Sequence, residues 1–261
     1  MEFAPVMSRF GKIAGLAVTV WAFATSAGAQ SVAEHLGLGD AAYELRKPKE
    51  ALDHFVKAIA VDSLNYEARW KASRAQVDLA EAAPKGAEMD SLMAAAQRNA
   101  EAAVRIKGND PEGHFSLARA IGRKALSVGT MERIRFSKIV RAEALDALKY
   151  DSTHAGGLHV LGMWNAEIMR VNGLARAFAK TFLGAQVFSL ANWDEAQRLL
   201  EAAVSHDPKR IVHKLDLAGI YADRGNKAKA KELYEWISTA PVIESNDDLY
   251  KRQAAERLKK L

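Results

Sequence analysis

A spacing that recurs along the chain constrains the fold more than any other feature of the sequence. A small residue is followed four positions later by a large apolar one, and a small or apolar residue comes three positions after that, as in Ala51, Phe55 and Ala58. The same spacing starts again at Ala196 and at Ala230. Apolar residues three and four apart share one helix face. The spacing therefore predicts helices that pack closely against a neighbour through small residues.

Weaker copies of this spacing begin at Val140 and at Ala96, and small residues in Leu161-Gly162 and Leu217-Ala218 fit the preceding helices. Helix pairs of this kind are the tetratricopeptide pattern. We predict an all-α, right-handed superhelical solenoid of about five helix pairs, two of them stretched by insertions. The amphipathic residues 247–261 are expected to form a C-terminal capping helix. The alternative is a helical bundle without superhelical stacking.

Composition agrees with closely packed helices. The 261 residues include 49 alanines but only 17 glycines and 6 prolines, and alanine is the best helix former. The absence of cysteine excludes disulfides, zinc–thiolate sites, iron–sulfur clusters and cysteine nucleophiles. The net charge of +5 is modest and spread along the chain. It is weakly consistent with anionic partners, and we expect no nucleic-acid partner.

The N-terminus resembles an export signal. Arg9 and Lys12 precede the uncharged apolar residues 13–25, and Ala27-Gly28-Ala29 provides small residues at a cleavage position. The apolar run is too short to span a hydrocarbon core of about 30 Å as a helix. We predict a cleavable signal peptide over residues 1–29, a single domain over residues 30–261, and a soluble periplasmic or secreted protein. The alternative is an uncleaved N-terminal anchor.

Catalytic motifs are missing from the sequence. It contains no His-Glu-x-x-His, no Gly-x-Ser-x-Gly and no glycine-rich phosphate loop. His154 and His159 lie about 140° apart around a helix and cannot share one metal ion. His206 and His213 flank Pro208, where we expect solvated or capping side chains in a connecting turn. We therefore predict no enzyme, no metal site and no cofactor.

The repeat register predicts which residues face the concave groove. Arg119 and Arg123, one helical turn apart, form a fork that fits a carboxylate or phosphate. The alternative is that these arginines pair with Glu112 or Asp78. The full set of predicted groove residues is Trp70, Arg74, Phe115, Arg119, Arg123, His159, Met163 and Glu167.

Basic residues concentrate around the middle of the chain. Arg119 and residues 123–141 carry seven basic side chains, opposed only by Glu132, with Phe136 and Val140 interleaved. Such a segment can lie on an anionic membrane surface with its aromatic residue in the interface. The more common alternative is a solvated helix face whose apolar side packs on the core.

Residues 173–193 separate the two helices of one repeat, where a short turn would suffice. Leu174, Phe178 and Phe182 share one helix face at four-residue intervals, and Phe188 follows. We predict either a helix that straps the solenoid or a lid over a hydrophobic ligand.

Three stretches resemble the tetratricopeptide domain of the regulator-of-microtubule-dynamics family. They are residues 159–167, which contain Leu-Gly-Met-Trp, residues 174–184, which end in Phe-Leu-Gly, and Trp193-Asp-Glu-Ala196 with Pro208 behind it. The resemblance spans roughly residues 110–240. The insert lacks the prolines that often follow in the family. The resemblance implies a helical binding domain, in some members associated with membranes and lipids.

These observations favour recognition over catalysis. We predict a non-catalytic exported adaptor that binds a peptide or protein segment in its concave groove. The alternative is a carrier of lipid or of a hydrophobic small molecule, with residues 174–190 as its lid. A lipid or an anionic membrane surface is a further possible partner, and the oligomeric state stays open.

Overall fold

The computed structural model describes Met1, residues 31–182 and residues 186–261, except for the side chain of Phe182. The predicted signal peptide, residues 1–29, lies outside this part apart from Met1. The described part contains twelve α-helices and one 3₁₀ helix: α1 (Val32–Glu44), α2 (Pro48–Val61), α3 (Tyr66–Ala82), α4 (Ala87–Ile106), α5 (Pro111–Ala125), α6 (Thr130–Tyr150), α7 (Ala155–Arg170), α8 (Gly173–Phe182), the 3₁₀ helix (Gln186–Leu190), α9 (Trp193–His206), α10 (Ile211–Asp223), α11 (Lys227–Thr239) and α12 (Asp247–Lys259).

The helices pack as five successive pairs, which confirms the all-α tetratricopeptide-like solenoid. The pairs are α1 with α2, α3 with α4, α5 with α6, α7 with α9, and α10 with α11. The first helices of the middle pairs also contact one another, because α5 packs on both α3 and α7. Helix α12 covers α10 and α11, as expected of a terminal cap. Residues 31–261 form one compact unit with its own hydrophobic clusters.

The recurring spacing forms the seams within the pairs. Ala51, Phe55 and Ala58 are completely buried in α2, and Ala196, Leu200 and Ala203 are completely buried in α9. Glycines on the facing helices make these contacts possible. A methyl group at Gly39 would overlap with the ring of Phe55, and one at Gly162 would overlap with Leu200. Truncating a buried phenylalanine to alanine typically costs about 3–5 kcal/mol, so each such seam contributes much of the stability of its pair.

Side chains that satisfy the first free N–H groups mark the helix starts. Ser31 and Glu34 form a reciprocal capping box at α1. Asn65 caps α3 and Asn192 caps α9 through the backbone N–H groups of Ala68 and Glu195. Prolines occupy the first turns of α2 and α5, where no N–H is needed. The starts of these helices are therefore encoded locally.

The insert between α7 and α9 forms α8 and the 3₁₀ helix. Ala179 and Phe188 are buried in a cluster with Trp164 and Ile168, which attaches the insert to the solenoid. The larger residues of the predicted apolar stripe behave differently, since Leu174 is 84% exposed. Helix α8 therefore packs through its small residues and presents large apolar ones outward.

Candidate functional site

A large cavity lies between the first helices of successive pairs. Helices α3, α5, α7 and α10 border it through residues such as Asp78, Arg119, Met163 and Val212, and α6, α8 and the 3₁₀ helix supply a further wall. Its volume of about 1080 Å³ lies slightly above the range of about 300–1,000 Å³ typical of small-molecule sites. The concave side of the solenoid thus contains a half-open space that no described side chain fills.

The C-terminal segment closes one side of this cavity. The Tyr250 hydroxyl lies 2.5 Å from Glu81 Oε2 on α3, and Asn246 Nδ2 donates to the Asp78 carbonyl at 3.0 Å. Both contacts join residues far apart in the sequence. Nearby, the Arg210 guanidinium lies 3.0 Å from the Glu244 carboxylate. The end of the chain therefore caps the last pair and also bridges back to α3.

Buried ion pairs form what we call the charged end of the cavity. Arg119 lies 2.6 Å from Asp78 and 3.2 Å from Glu81, and Arg123 lies 2.8 Å from Glu81. Of the two predicted acidic partners Asp78 is confirmed, whereas Glu112 faces a histidine beside α7 instead. The arginines hold helices α3 and α5 together, so they do not form a fork free for an external anion. The charged end comprises Asp78, Glu81, Arg119, Arg123, Arg210 and Glu244.

Glu81 is the shared carboxylate of this network. Burial raises its pKa, but Arg123 and Arg119 outweigh burial and lower the pKa to about 2. Glu244 shows the opposite balance, because burial raises its pKa more than Arg210 lowers it. The charged end therefore contains a permanently ionised centre whose charge is compensated by its own arginines.

Two histidines lie beside the charged end. His159 Nε2 is 3.0 Å from Asp216 Oδ2, and the His159 and His213 rings are 4.8 Å apart. His213 lies in α10 and is only 1% exposed, so the expectation of a solvated or capping side chain in a turn is wrong. Burial, followed by the proximity of His159, lowers the pKa of His213 and keeps it neutral. Among the described residues, no cluster of three or more candidate ligands could hold a metal ion.

Two polar atoms of cavity-lining residues lack hydrogen-bond partners within the described part of the chain. They are Arg119 Nη1 and His213 Nδ1, and both atoms are inaccessible to solvent. Buried polar groups are nearly always satisfied, because an unsatisfied one costs about 1–3 kcal/mol. Since neither atom is accessible to a water molecule, both belong to the packed wall and not to the open surface of the cavity.

Aromatic and aliphatic residues form the apolar end of the cavity. Ile134 and Val140 on α6, Trp164 and Ile168 on α7, and Phe188 on the 3₁₀ helix belong to one buried cluster that borders the open space. The Trp164 indole N–H donates to the Ser137 carbonyl at 2.8 Å, which fixes the ring orientation. This end offers apolar surface with few polar groups.

The predicted groove and lid residues largely meet at this one cavity. Six of the eight groove residues line it: Phe115, Arg119, Arg123, His159, Met163 and Glu167. Three of the four lid residues line it too, namely Leu174, Phe178 and Phe188, while the side chain of Phe182 lies outside the described residues. The two predictions, made for separate features, therefore concern the same space.

Trp70 and Arg74 are the groove residues that the register misplaced. The Arg74 guanidinium lies 3.7 Å from the centre of the Tyr43 ring and 5.1 Å from that of Trp70. These stacked side chains fill the contact between α1 and α3, and it is Tyr43 that borders the cavity. Tyr43 on α1 therefore borders the cavity at the position where the repeat register predicts Trp70 and Arg74.

Sequence reasoning missed the contributions of Tyr43, Arg210, Glu244, Asn246 and Tyr250. All five line the cavity, and four of them come from the start of α10 or the chain end. No periodic signal marks them, because Asn246 and Tyr250 contact residues of α3 that lie more than 160 positions earlier in the sequence. Helical periodicity reports which face of a helix is apolar and says nothing about closure between distant repeats.

The basic segment folds mainly as a solvated helix face. Phe136 is only 2% exposed, so the expectation that this aromatic residue enters a membrane interface is wrong. Arg133 donates to the carbonyl of Ala125 at 3.0 Å and so caps the end of α5. Among the described residues, no helix combines the length and apolarity that crossing a lipid bilayer requires.

Solved structures of similar architecture support the fold. The tetratricopeptide protein TTC0263 of Thermus thermophilus is 18% identical and has a TM-score of 0.62, with 86% of this chain and 99% of that chain covered. The Pseudomonas aeruginosa pilF structure is 10% identical and has a TM-score of 0.52, with 87% and 84% covered. At these identities the likeness extends to the fold alone. No curated protein sequence matches the chain.

The sequence resemblance is confirmed over a longer stretch than residues 110–240. A family model described as regulator of microtubule dynamics protein 1–3 matches residues 38–261, which include every helix from α2 onward. On this match, the chain belongs to the family of regulator of microtubule dynamics proteins 1–3.

Proposed function

We propose that this protein is a non-catalytic binding protein whose cavity holds one amphipathic small molecule, with a lipid-like apolar body and a polar head. The observation that carries this proposal is that one half-open cavity joins the apolar end, around Trp164 and Phe188, to the charged end, around Arg119. An apolar body would remove the exposed surface of cavity-lining residues such as Leu174 and Phe178 from water, at about 25 cal/mol per Å².

The charged end favours a polar head that accepts a hydrogen bond. Arg119, Arg123 and Arg210 all line the cavity, and guanidinium groups are hydrogen-bond donors only. The arginine charges are already compensated by Asp78, Glu81 and Glu244. A head with acceptor oxygens therefore fits this end without needing a full negative charge.

The peptide or protein adaptor remains the second candidate, and the tetratricopeptide fold favours it. An extended segment requires an open groove, whereas Asn246 and Tyr250 bridge the concave side to α3. This bridge favours a small amphiphile over an extended peptide segment. An adaptor would engage the rim of the cavity or displace the C-terminal segment.

Native mass spectrometry of protein purified from its own cell envelope tests the proposal. We expect a bound mass that organic solvent extracts and that contains no peptide. Met163 lines the cavity, so Met163→Trp should remove this mass. Met131→Trp is the matched control, since Met131 is 60% exposed on α6. A bound peptide would favour the adaptor, and a mass retained by Met163→Trp would refute cavity binding.

We further propose that the protein is exported and that its precursor is cleaved after Ala29. The proposal rests on the basic, apolar and small-residue order within residues 1–29. The intact mass of protein from the envelope fraction should correspond to a chain that starts at Gln30. A mass that includes Met1 would instead indicate a retained N-terminal anchor.

A further inference from the structure

Two histidines of the first helix pair face each other through the same ring atom. His35 lies on α1 and His54 on α2, and their Nδ1 atoms are 3.4 Å apart. His35 is buried and His54 is half-buried. Both lie outside the set of described residues that line the large cavity. The pair therefore belongs to a separate part of the solenoid.

This pair differs from other histidines of the protein in having no acidic partner. Three histidines lie within 3.4 Å of a carboxylate oxygen, namely His114, His154 and His159. Across residues 31–182 and 186–261, no carboxylate lies within 4.0 Å of the ring nitrogens of His35 or His54, and neither ring has another hydrogen-bond partner. The two rings therefore contact each other without being bound to a third group in this part of the chain.

The separation of the two Nδ1 atoms matches a metal site better than a hydrogen bond. Hydrogen bonds donated by N–H groups usually span about 2.9–3.0 Å. Zn²⁺ binds histidine nitrogens at about 2.0–2.1 Å in a tetrahedral arrangement, so two such nitrogens are about 3.3–3.4 Å apart. The observed distance of 3.4 Å therefore allows both atoms to bind one ion after a small rotation of the rings.

The tight seam between α1 and α2 holds the two histidines in position. His35 lies one helical turn before Gly39, where an added methyl group would overlap with the Phe55 ring. His54 directly precedes Phe55, which is completely buried. Binding sites on packed helices are more precise than sites on loops, because packing fixes the ligands beforehand. The backbone of both histidines is thus fixed before an ion binds.

We propose that His35 and His54 bind one divalent transition-metal ion such as Zn²⁺, with water in the remaining coordination positions. Imidazole nitrogens suit Zn²⁺, Cu²⁺ and Ni²⁺, whereas Mg²⁺ and Ca²⁺ require oxygen ligands. Two protein ligands are consistent with the lack of any cluster of three or more among the described residues. The expectation of no metal site rested on spacings within single segments, whereas this pair joins two helices 19 positions apart in sequence. The site is independent of what the cavity holds.

Isothermal titration calorimetry with zinc chloride tests the proposal on the full chain, purified without a histidine tag and treated with a chelator. We expect one Zn²⁺ to bind per chain and no Mg²⁺. His35→Gln and His54→Gln should each weaken binding roughly a hundredfold, since joining two ligands in one molecule gains a factor of that order. His206→Gln is the matched control, because His206 is exposed at the end of α9, and it should bind like the parent.

Paramagnetic broadening by Ni²⁺ locates the ion in the parent chain without any substitution. The amide NMR signals of residues 33–37 and 52–56 should broaden first, since these residues surround the two histidines. Melting temperatures of the metal-free variants confirm that they are folded. Absence of Zn²⁺ binding, unchanged binding in folded His35→Gln or His54→Gln, an equal loss in His206→Gln, or broadening centred on other residues would each overturn the proposal.

Discussion

The two sides of helix α7 show opposite kinds of packing. On one side Gly162 meets α9 so closely that an added methyl group would overlap with Leu200. On the other side Met163 and Glu167 border an opening of about 1080 Å³. The seam between the helices is tightly filled, whereas the cavity beside it holds no described side chain. The same helix therefore stabilises the fold through one face and provides space for a ligand through the other.

This difference separates the residues that stabilise the fold from those that are available for binding. The seams are built from alanine, glycine and one large apolar residue, as in Ala196, Leu200 and Ala203. The cavity is bordered by residues of every chemical class, from Trp164 to Arg119. We therefore expect substitutions in the seams to change stability and substitutions in the cavity walls to change binding.

The strongest test of the seam is Ala203→Trp, because Ala203 is completely buried between α7 and α9. Overpacking by added methylenes usually costs about 1–3 kcal/mol, and an indole should raise the loss above about 5 kcal/mol. Thermal unfolding measures it. Ala60→Trp, on the exposed side of α2, is the control and should unfold near the parent temperature. An unchanged melting temperature for Ala203→Trp would contradict the repeat register.

Glu81→Gln tests whether the charged end belongs to the structure. The substitution leaves Arg123 without its carboxylate and weakens the contact to Tyr250. Removing one partner of a buried ion pair costs about 3–5 kcal/mol. Urea unfolding measures this loss against Glu88→Gln, which changes an exposed glutamate on α4. Equal stability of the two variants would show that the network is dispensable and free to serve a ligand.

Acid unfolding sharpens the same point. The folded-state pKa of Glu81, about 2, lies below its ordinary value of 4.5. The contribution of Glu81 is therefore fully present above pH 4.5 and is lost as the pH falls towards 2. Across that window the parent chain should lose up to about 3 kcal/mol more stability than Glu81→Gln. Parallel pH profiles for the two proteins would mean that the arginines do not hold this carboxylate ionised.

The smallest effect on stability is expected at the cavity wall. Met163→Trp adds an indole where space is available, so the free energy of unfolding should change by less than about 1 kcal/mol. Urea unfolding of the ligand-free protein is the appropriate measurement, since a bound ligand would add to the stability of the parent. A loss as large as that of Ala203→Trp would erase the distinction between seam and cavity.

The sequence was sufficient for the seams because their signal is local. The spacings that begin at Ala51, Ala196 and Ala230 all lie on buried helix faces, as the pattern predicts. Capping residues and prolines determine most other helix starts. Local rules succeed wherever a contact joins neighbouring helices of one pair.

The cavity escaped prediction because closure depends on distant contacts. Arg119 and Arg123 lie on the predicted helix face. Periodicity does not predict that they pair with Glu81 or that Tyr250 contacts Glu81, because these contacts depend on how distant repeats approach one another. Leu174 and Phe178 share one face of α8, as their spacing predicts, and both are more than half exposed. Periodicity could not say whether its apolar side would be buried, since that depends on what the neighbouring repeats leave uncovered.

Photo-crosslinking of a fatty-acyl probe tests the central claim most directly, namely that the cavity holds an amphipathic ligand with its apolar body at the apolar end. The probe carries a diazirine near the end of its acyl chain, and peptide mass mapping locates the covalent adducts. We predict adducts in α7 and residues 186–190, around Trp164, Ile168 and Phe188, and their loss in Met163→Trp. Adducts confined to the outer helices α4 and α11, or labelling that persists in Met163→Trp, would contradict the account.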